Sequence, residues 1–179
     1  MFIGYNNYLI LCEPESKKTE LADNISYNIE RRIVKIDLFD QDNDLLEYIK
    51  QTNITLIIDN YSTKDNKNEN FEKLLKNEFI SVIVISPYPI AIDNYKRLYF
   101  DYIFISKLSN EYTISLIHHN YITNIVSKED FKKMNIKNKY FLLFNKINKE
   151  CGYYDLKEGF KENIEDSFYD RLLGFLKLV

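Results

Sequence analysis

Short apolar runs alternate with longer amphipathic stretches from residue 8 to about 121. The run at 8–12 (Tyr-Leu-Ile-Leu-Cys) stops at Glu13-Pro14 and reads as a buried strand. Residues 15–30 follow, with Leu21, Ile25 and Ile29 at helical spacing. Residues 33–36 read as a second strand, and 40–51 as a helix with Asp40 at its N-cap position. The third strand, 54–58, ends at Asp59. A polar loop over 60–68 leads to a short helix carrying Phe71, Leu74 and Leu75. The most apolar run, 80–85, ends at Ser86-Pro87. A helix around 91–99, a strand at 102–105 and a helix at 109–121 complete the series.

Five strands alternating with five helices predict an α/β fold: a doubly wound, five-stranded parallel sheet with helices on both faces. Near-continuous β-branched runs such as 80–85 are what strands buried on both faces require. From residue 124 the pattern changes. Tyr140, Phe141, Leu143, Phe144 and Ile147, and then Phe168, Leu172, Phe175 and Leu176, recur at helical spacing. They predict a small helical C-terminal extension over 124–179, after a first domain at 1–123.

Composition narrows the function classes. Hydrophobic residues make up 45% and charged residues 28%, a globular balance, and the net charge of −3 gives no overall field toward nucleic acid or anionic lipid. The stretch 122–149 holds seven Lys against two acidic residues, without Arg or a recognition-helix pattern, and reads as a solvated or protein-contact face. No nucleic-acid partner is expected. The amino terminus has no basic segment or cleavage site of a signal peptide, and no run is long enough to span a bilayer. Cys12 and Cys151 lack metal-ligand spacing, and a cytoplasmic protein with free thiols is expected. His118-His119 are adjacent, so they do not share a helix face and read as a surface pair.

Ligands of open parallel sheets bind beyond the carboxyl ends of the strands. The residues there are Glu13, Asp59, Ser86 and Lys107. Two carboxylates can hold a hard divalent cation, an aspartate can attack phosphorus, and a lysine and a hydroxyl can stabilise a phosphoryl group. No glycine-rich phosphate loop of the nucleotide-binding kind follows the first strand.

YLILCEPES, ITLIIDN, SVIVISPY and DYIFISKL together resemble the strand ends of response-regulator receiver domains. The resemblance covers roughly residues 6–123. It implies a receiver (flavodoxin-like) topology, with Asp59 as phosphoacceptor and Mg²⁺ held by Glu13 and Asp59. It further implies Ser86 and Phe104 as switch residues, and Lys107 paired with the phosphoryl group. The protein would then be a phosphorelay signalling module without enzymatic activity of its own. Its partners would be a histidine kinase or phosphotransfer protein and a downstream protein, with homodimerisation a further option.

The chain departs from that family where Cys12 replaces the first of the paired acids, where NYSTKDNKNEN replaces Met-Pro-Gly after Asp59, and where Leu108 replaces Pro after Lys107. Those departures support an alternative, a phosphate-independent pseudo-receiver that docks or dimerises. The lysine-rich stretch supports a second, a DNA-binding regulator.

Overall fold

The computed structural model describes residues 4–13, 17–29, 31–37, 46–62, 69–138 and 141–162. Its frame is one eight-stranded sheet in the order β2-β3-β4-β1-β5-β6-β7-β8. The strands are β1 (Asn7–Leu11), β2 (Arg32–Asp37), β3 (Ile54–Asp59), β4 (Ile80–Ser86), β5 (Tyr102–Ser106), β6 (Phe141–Asn145), β7 (Glu150–Asp155) and β8 (Gly159–Glu162). Pairing is parallel from β2 through β3, β4 and β1 to β5, and antiparallel from β5 to β8.

The α/β class and the first five strands stand as their sequence indicates. Residues of β3 and β4 are buried on both faces, which is why they are near-continuous apolar runs, broken only by the small hydroxyls Thr55 and Ser81 before their closing residues. The order differs from expectation. A receiver sheet runs 2-1-3-4-5, with the first strand beside the third. Here β1 lies between β4 and β5.

Helices are α1 (Lys18–Ile29), α2 (Leu46–Ile49), α3 (Glu69–Leu75), α4 (Glu111–Ile117) and α5 (Lys128–Lys137). A single 3-10 turn, Lys96–Tyr99, stands where a helix over 91–99 is expected, and a π-helical turn, His118–Ile122, extends α4. The connection from β1 to β2 runs across the sheet in one direction. Those from β2 to β3, β3 to β4 and β4 to β5 run in the other. Right-handed crossovers in opposite directions land on opposite faces. Accordingly Leu21, Ala22, Ile25 and Ile29 of α1 pack with Tyr8, Ile10, Ile57, Ile83, Ile85 and Phe104 in one core. Residues of α3, α4 and α5 pack with Leu9, Leu56, Ile58, Val82, Val84, Ile103 and Ile105 in the other.

The expected helical extension is corrected over 141–162, which forms three strands of the same sheet. A four-residue apolar run satisfies helical and strand spacing equally well. In β6 all four residues from Phe141 to Phe144 are buried: Phe141 and Leu143 enter the α1-side core, and Leu142 and Phe144 the opposite one. Alternation across a strand produces that division. Phe168, Leu172, Phe175 and Leu176 lie outside the described residues. Asn135 joins α5 to the strand ends, its side chain accepting from the Leu108 N–H and donating to the Leu108 carbonyl, both at 2.9 Å.

Phe144 is fully buried and meets Phe131 of α5 edge-on, with ring centroids 5.8 Å apart. Phe144→Ala is expected to cost about 3–5 kcal/mol. Urea unfolding followed by far-UV circular dichroism should show one transition shifted as a whole, because β6 belongs to the same sheet as β1 and β5.

Candidate functional site

The carboxyl edge of the parallel strands carries the candidate site, and its centre is Asp59. Lys18, the first residue of α1, reaches it: Lys18 Nζ lies 2.9 Å from Asp59 Oδ1 and 3.1 Å from Asn60 Oδ1. The Asn60 N–H also donates to Asp59 Oδ1, at 2.7 Å, with Asn60 in the left-handed region at φ 58°. Asparagine tolerates that backbone better than most side chains. The ion pair is partly buried, with side-chain exposures of 20% for Lys18 and 28% for Asp59. The end of β3 is fixed to β4 by the Tyr61 N–H, which donates to the Ile85 carbonyl at 3.0 Å.

Beside the pair opens a cleft of about 370 Å³ lined by Thr19, Ala22, Asp23, Lys35, Ile36, Ile57, Asp59 and Ile85. Its volume is in the range of small-molecule sites. Ala22, Ile57 and Ile85 supply an apolar floor. Lys35 and Asp23 face each other at 2.6 Å, both about half exposed.

The strand order separates the residues that the receiver resemblance assembles. Glu13 follows β1 and Asp59 ends β3, and β4 lies between them. Glu13 turns toward the opposite neighbour: its Oε1 accepts from the N–H and the hydroxyl of Ser109, each at 2.9 Å. Ser86 is buried, with its hydroxyl oxygen 2.9 Å from the Tyr61 carbonyl and 3.1 Å from that of Tyr88, a loop-fixing position. Phe104 is buried edge-on against Tyr154 of β7, ring centroids 5.1 Å apart. Lys107 is exposed just past β5, three places from β3 on the far side of β1. Cys12 is buried, as expected of a small apolar side chain. Among the described residues no cluster of three or more His, Cys, Asp and Glu is placed to hold a metal by itself, and no helix is long and apolar enough to cross a membrane.

No family model matches the chain, and no curated protein does. Solved structures match across nearly the whole chain. The genome-packaging NTPase of Sulfolobus turreted icosahedral virus 2 in complex with ATP-gammaS is 11% identical, with a TM-score of 0.61, covering 88% of this chain and 97% of that one. The same NTPase in complex with AMP is 10% identical, with a TM-score of 0.63, covering 87% of this chain and 100% of that one. The DNA-packaging ATPase of Sulfolobus turreted icosahedral virus is 12% identical, with a TM-score of 0.61, covering 83% and 97%.

At these identities the likeness establishes the fold alone, one shared with the packaging NTPases named above and not with receivers. The receiver identification is thereby overturned, together with the phosphorelay function and the two-component vocabulary attached to it. The expectation of a protein without enzymatic activity loses its basis as well. Sheet order explains the error: strand ends that match a receiver one by one are arranged around a different centre.

The sequence reading did not single out Lys18 or Thr19, which the structure places beside Asp59 and in the cleft. The phosphate loop of nucleotide-binding folds reads G-x-x-x-x-G-K-[ST]. Residues 12–19 read CEPESKKT, which keeps the last two positions and replaces both glycines, by Cys12 and Lys17. A search keyed on glycine passes over it. Cys12 and Lys17 are both described, and neither has the positive φ that demands glycine. The Lys-Thr pair opening the helix after the first strand is the signal that remained.

Since the Lys18–Asp59 pair retains contact with water, its contribution to stability is small. Lys18→Met is expected to lower stability by about 1 kcal/mol at most. Thermal melts of the two proteins should nearly coincide, and a collapse of the fold in Lys18→Met would contradict this placement.

Proposed function

We propose that the protein binds the phosphates of a nucleoside triphosphate, with Mg²⁺, at the edge formed by Lys18, Thr19 and Asp59. The observation that carries this reading is the Lys18–Asp59 contact. It brings the lysine that opens the helix after the first strand onto the acid that ends the third. In phosphate-loop NTPases these are the positions of the lysine that reaches the β- and γ-phosphates and the acid that holds Mg²⁺. The fold shared with the packaging NTPases, two of whose structures are complexes with ATP-gammaS and AMP, supports it.

The donor set suits the metal. Mg²⁺ takes oxygen ligands and keeps several waters, binding through one or two protein groups plus phosphate oxygens. The Thr19 and Asp59 side chains line one cleft and are of that kind. Bound there, the ion would neutralise charge on the phosphate chain. In the free protein the Lys18 ammonium rests on Asp59 and Asn60. On binding, it transfers to phosphate oxygens while Asp59 becomes available to the cation. The site thus exchanges one ion pair for two attractions and leaves no charge unpartnered. Asn60 stands next to Asp59, within 3.1 Å of the same ammonium, where its amide can orient but not deprotonate a water.

A second reading has its own observation. The replacement of both glycines, and the acids Glu13 and Glu15 within the loop, favour a domain that keeps the fold and has lost nucleotide. Titration with ATP-gammaS and Mg²⁺ by isothermal calorimetry separates the two. Saturable binding that weakens about 10- to 100-fold in Lys18→Ala, as the loss of a hydrogen bond to a charged group implies, supports the first. Asp59→Asn should abolish the Mg²⁺ dependence while retaining weak binding. Absence of heat at millimolar ligand favours the second.

A further inference from the structure

A carboxylate one residue past Cys12 is an awkward neighbour for phosphate. Glu13 stands inside the segment that joins β1 to α1, and at close range its charge would repel an incoming anion. The structure directs that charge elsewhere. Glu13 Oε1 accepts two hydrogen bonds at 2.9 Å, from the Ser109 N–H and the Ser109 hydroxyl, while the Glu13 N–H donates to Ser106 Oγ at 3.1 Å. Bonds to an ionised acceptor are about twice as strong as neutral ones.

What Glu13 holds onto is itself fixed. Ser106 ends β5 and is buried. Leu108, next to Ser109, has its N–H and its carbonyl both bound by the buried side chain of Asn135, at 2.9 Å each. On the other side Asn110 caps α4, accepting from the N–H groups of Tyr112 at 2.7 Å and Thr113 at 3.3 Å. Ser109 is therefore clamped between two local anchors, and Glu13 ties the β1–α1 segment to it. Cys12 adds a backbone bond to the Ser86 carbonyl at 3.3 Å. The start of the segment is thus held from both flanking strands, β4 and β5.

We propose, resting on the nucleotide reading above, that Glu13 is a positioning residue. By bonding Ser109 it holds Cys12 and Glu13, where the chain leaves β1, against β4 and β5, and keeps its own charge away from the phosphates.

The test compares wild type, Glu13→Gln, Glu13→Ala and Ser109→Ala by calorimetric titration with ATP-gammaS and Mg²⁺, with thermal melting as the control for folding. Glutamine keeps an acceptor oxygen at the same reach, so Glu13→Gln should bind within about threefold of wild type, whereas Glu13→Ala should lose about tenfold. Ser109→Ala, which keeps the backbone donor, should fall between them. Rescue by glutamine separates positioning from charge. If Glu13→Gln and Glu13→Ala both bind more tightly than wild type, the carboxylate faces the phosphates and the proposal is overturned. Wild-type affinity in Glu13→Ala overturns it equally. Absence of binding in all four proteins overturns the nucleotide reading itself, and the proposal with it.

Discussion

A strand in the middle of a parallel sheet must have two neighbours, and for β1 they are β4 and β5. The next strand in sequence, β2, lies three places away, so α1 must travel across β4 and β3 to reach it. That path delivers the first residue of α1 to the end of β3. The 2.9 Å contact between Lys18 and Asp59 is a consequence of the crossing. It also explains why Glu13, on the other flank of the same segment, is left facing β5 and the loop beyond it. One topological choice separates the two carboxylates that a receiver would pair and replaces their partnership with that of a lysine and an acid.

A cation and an anion joined in this way are suited to a ligand that also carries both signs. Phosphate with Mg²⁺ is such a ligand: its oxygens match the ammonium, and its metal matches the carboxylate. A phosphate without metal would satisfy the ammonium alone and leave the Asp59 carboxylate to water. The proposed metal-bound phosphate would thus offer a partner to both members of the pair at once.

The strands were legible because burial on both faces forces near-continuous apolar runs, and 54–58 and 80–85 allow little else. Their order was not. Ile83 and Val84 would pair as well with one β-branched neighbour as with another, so composition carries no register between strands distant in sequence. Asp59 was legible as a polar residue closing an apolar strand. Its partner was not, because Lys18 lies among the charged residues 13–20 and the glycines that would have marked the loop are absent. Phe141 to Phe144 were misread for a physical reason: four consecutive apolar residues fit any element buried on both sides, and only pairing with β5 makes them a strand. Asn135, which locks the β5–α4 connection through Leu108, gives no sign in the sequence, since a lone asparagine in a lysine-rich helix looks like surface.

The cleft follows from the same crossing as the ion pair. Every connection among the parallel strands except the first lies on one face of the sheet, so α1 alone among the described helices covers the other. On one side α1 is fastened to the antiparallel strands: the Tyr154 hydroxyl donates to Asn24 Oδ1 at 2.7 Å, and Asn24 Nδ2 donates to the Leu156 carbonyl at 2.9 Å. On the β2–β3 side the cleft remains, lined by Thr19, Lys35, Ile57 and Asp59, with Asp23 paired to Lys35. Thr19 and Asp59 line the same cleft as Lys35 and Ile57, so a ligand held at the proposed phosphate site would have room for the rest of its body there.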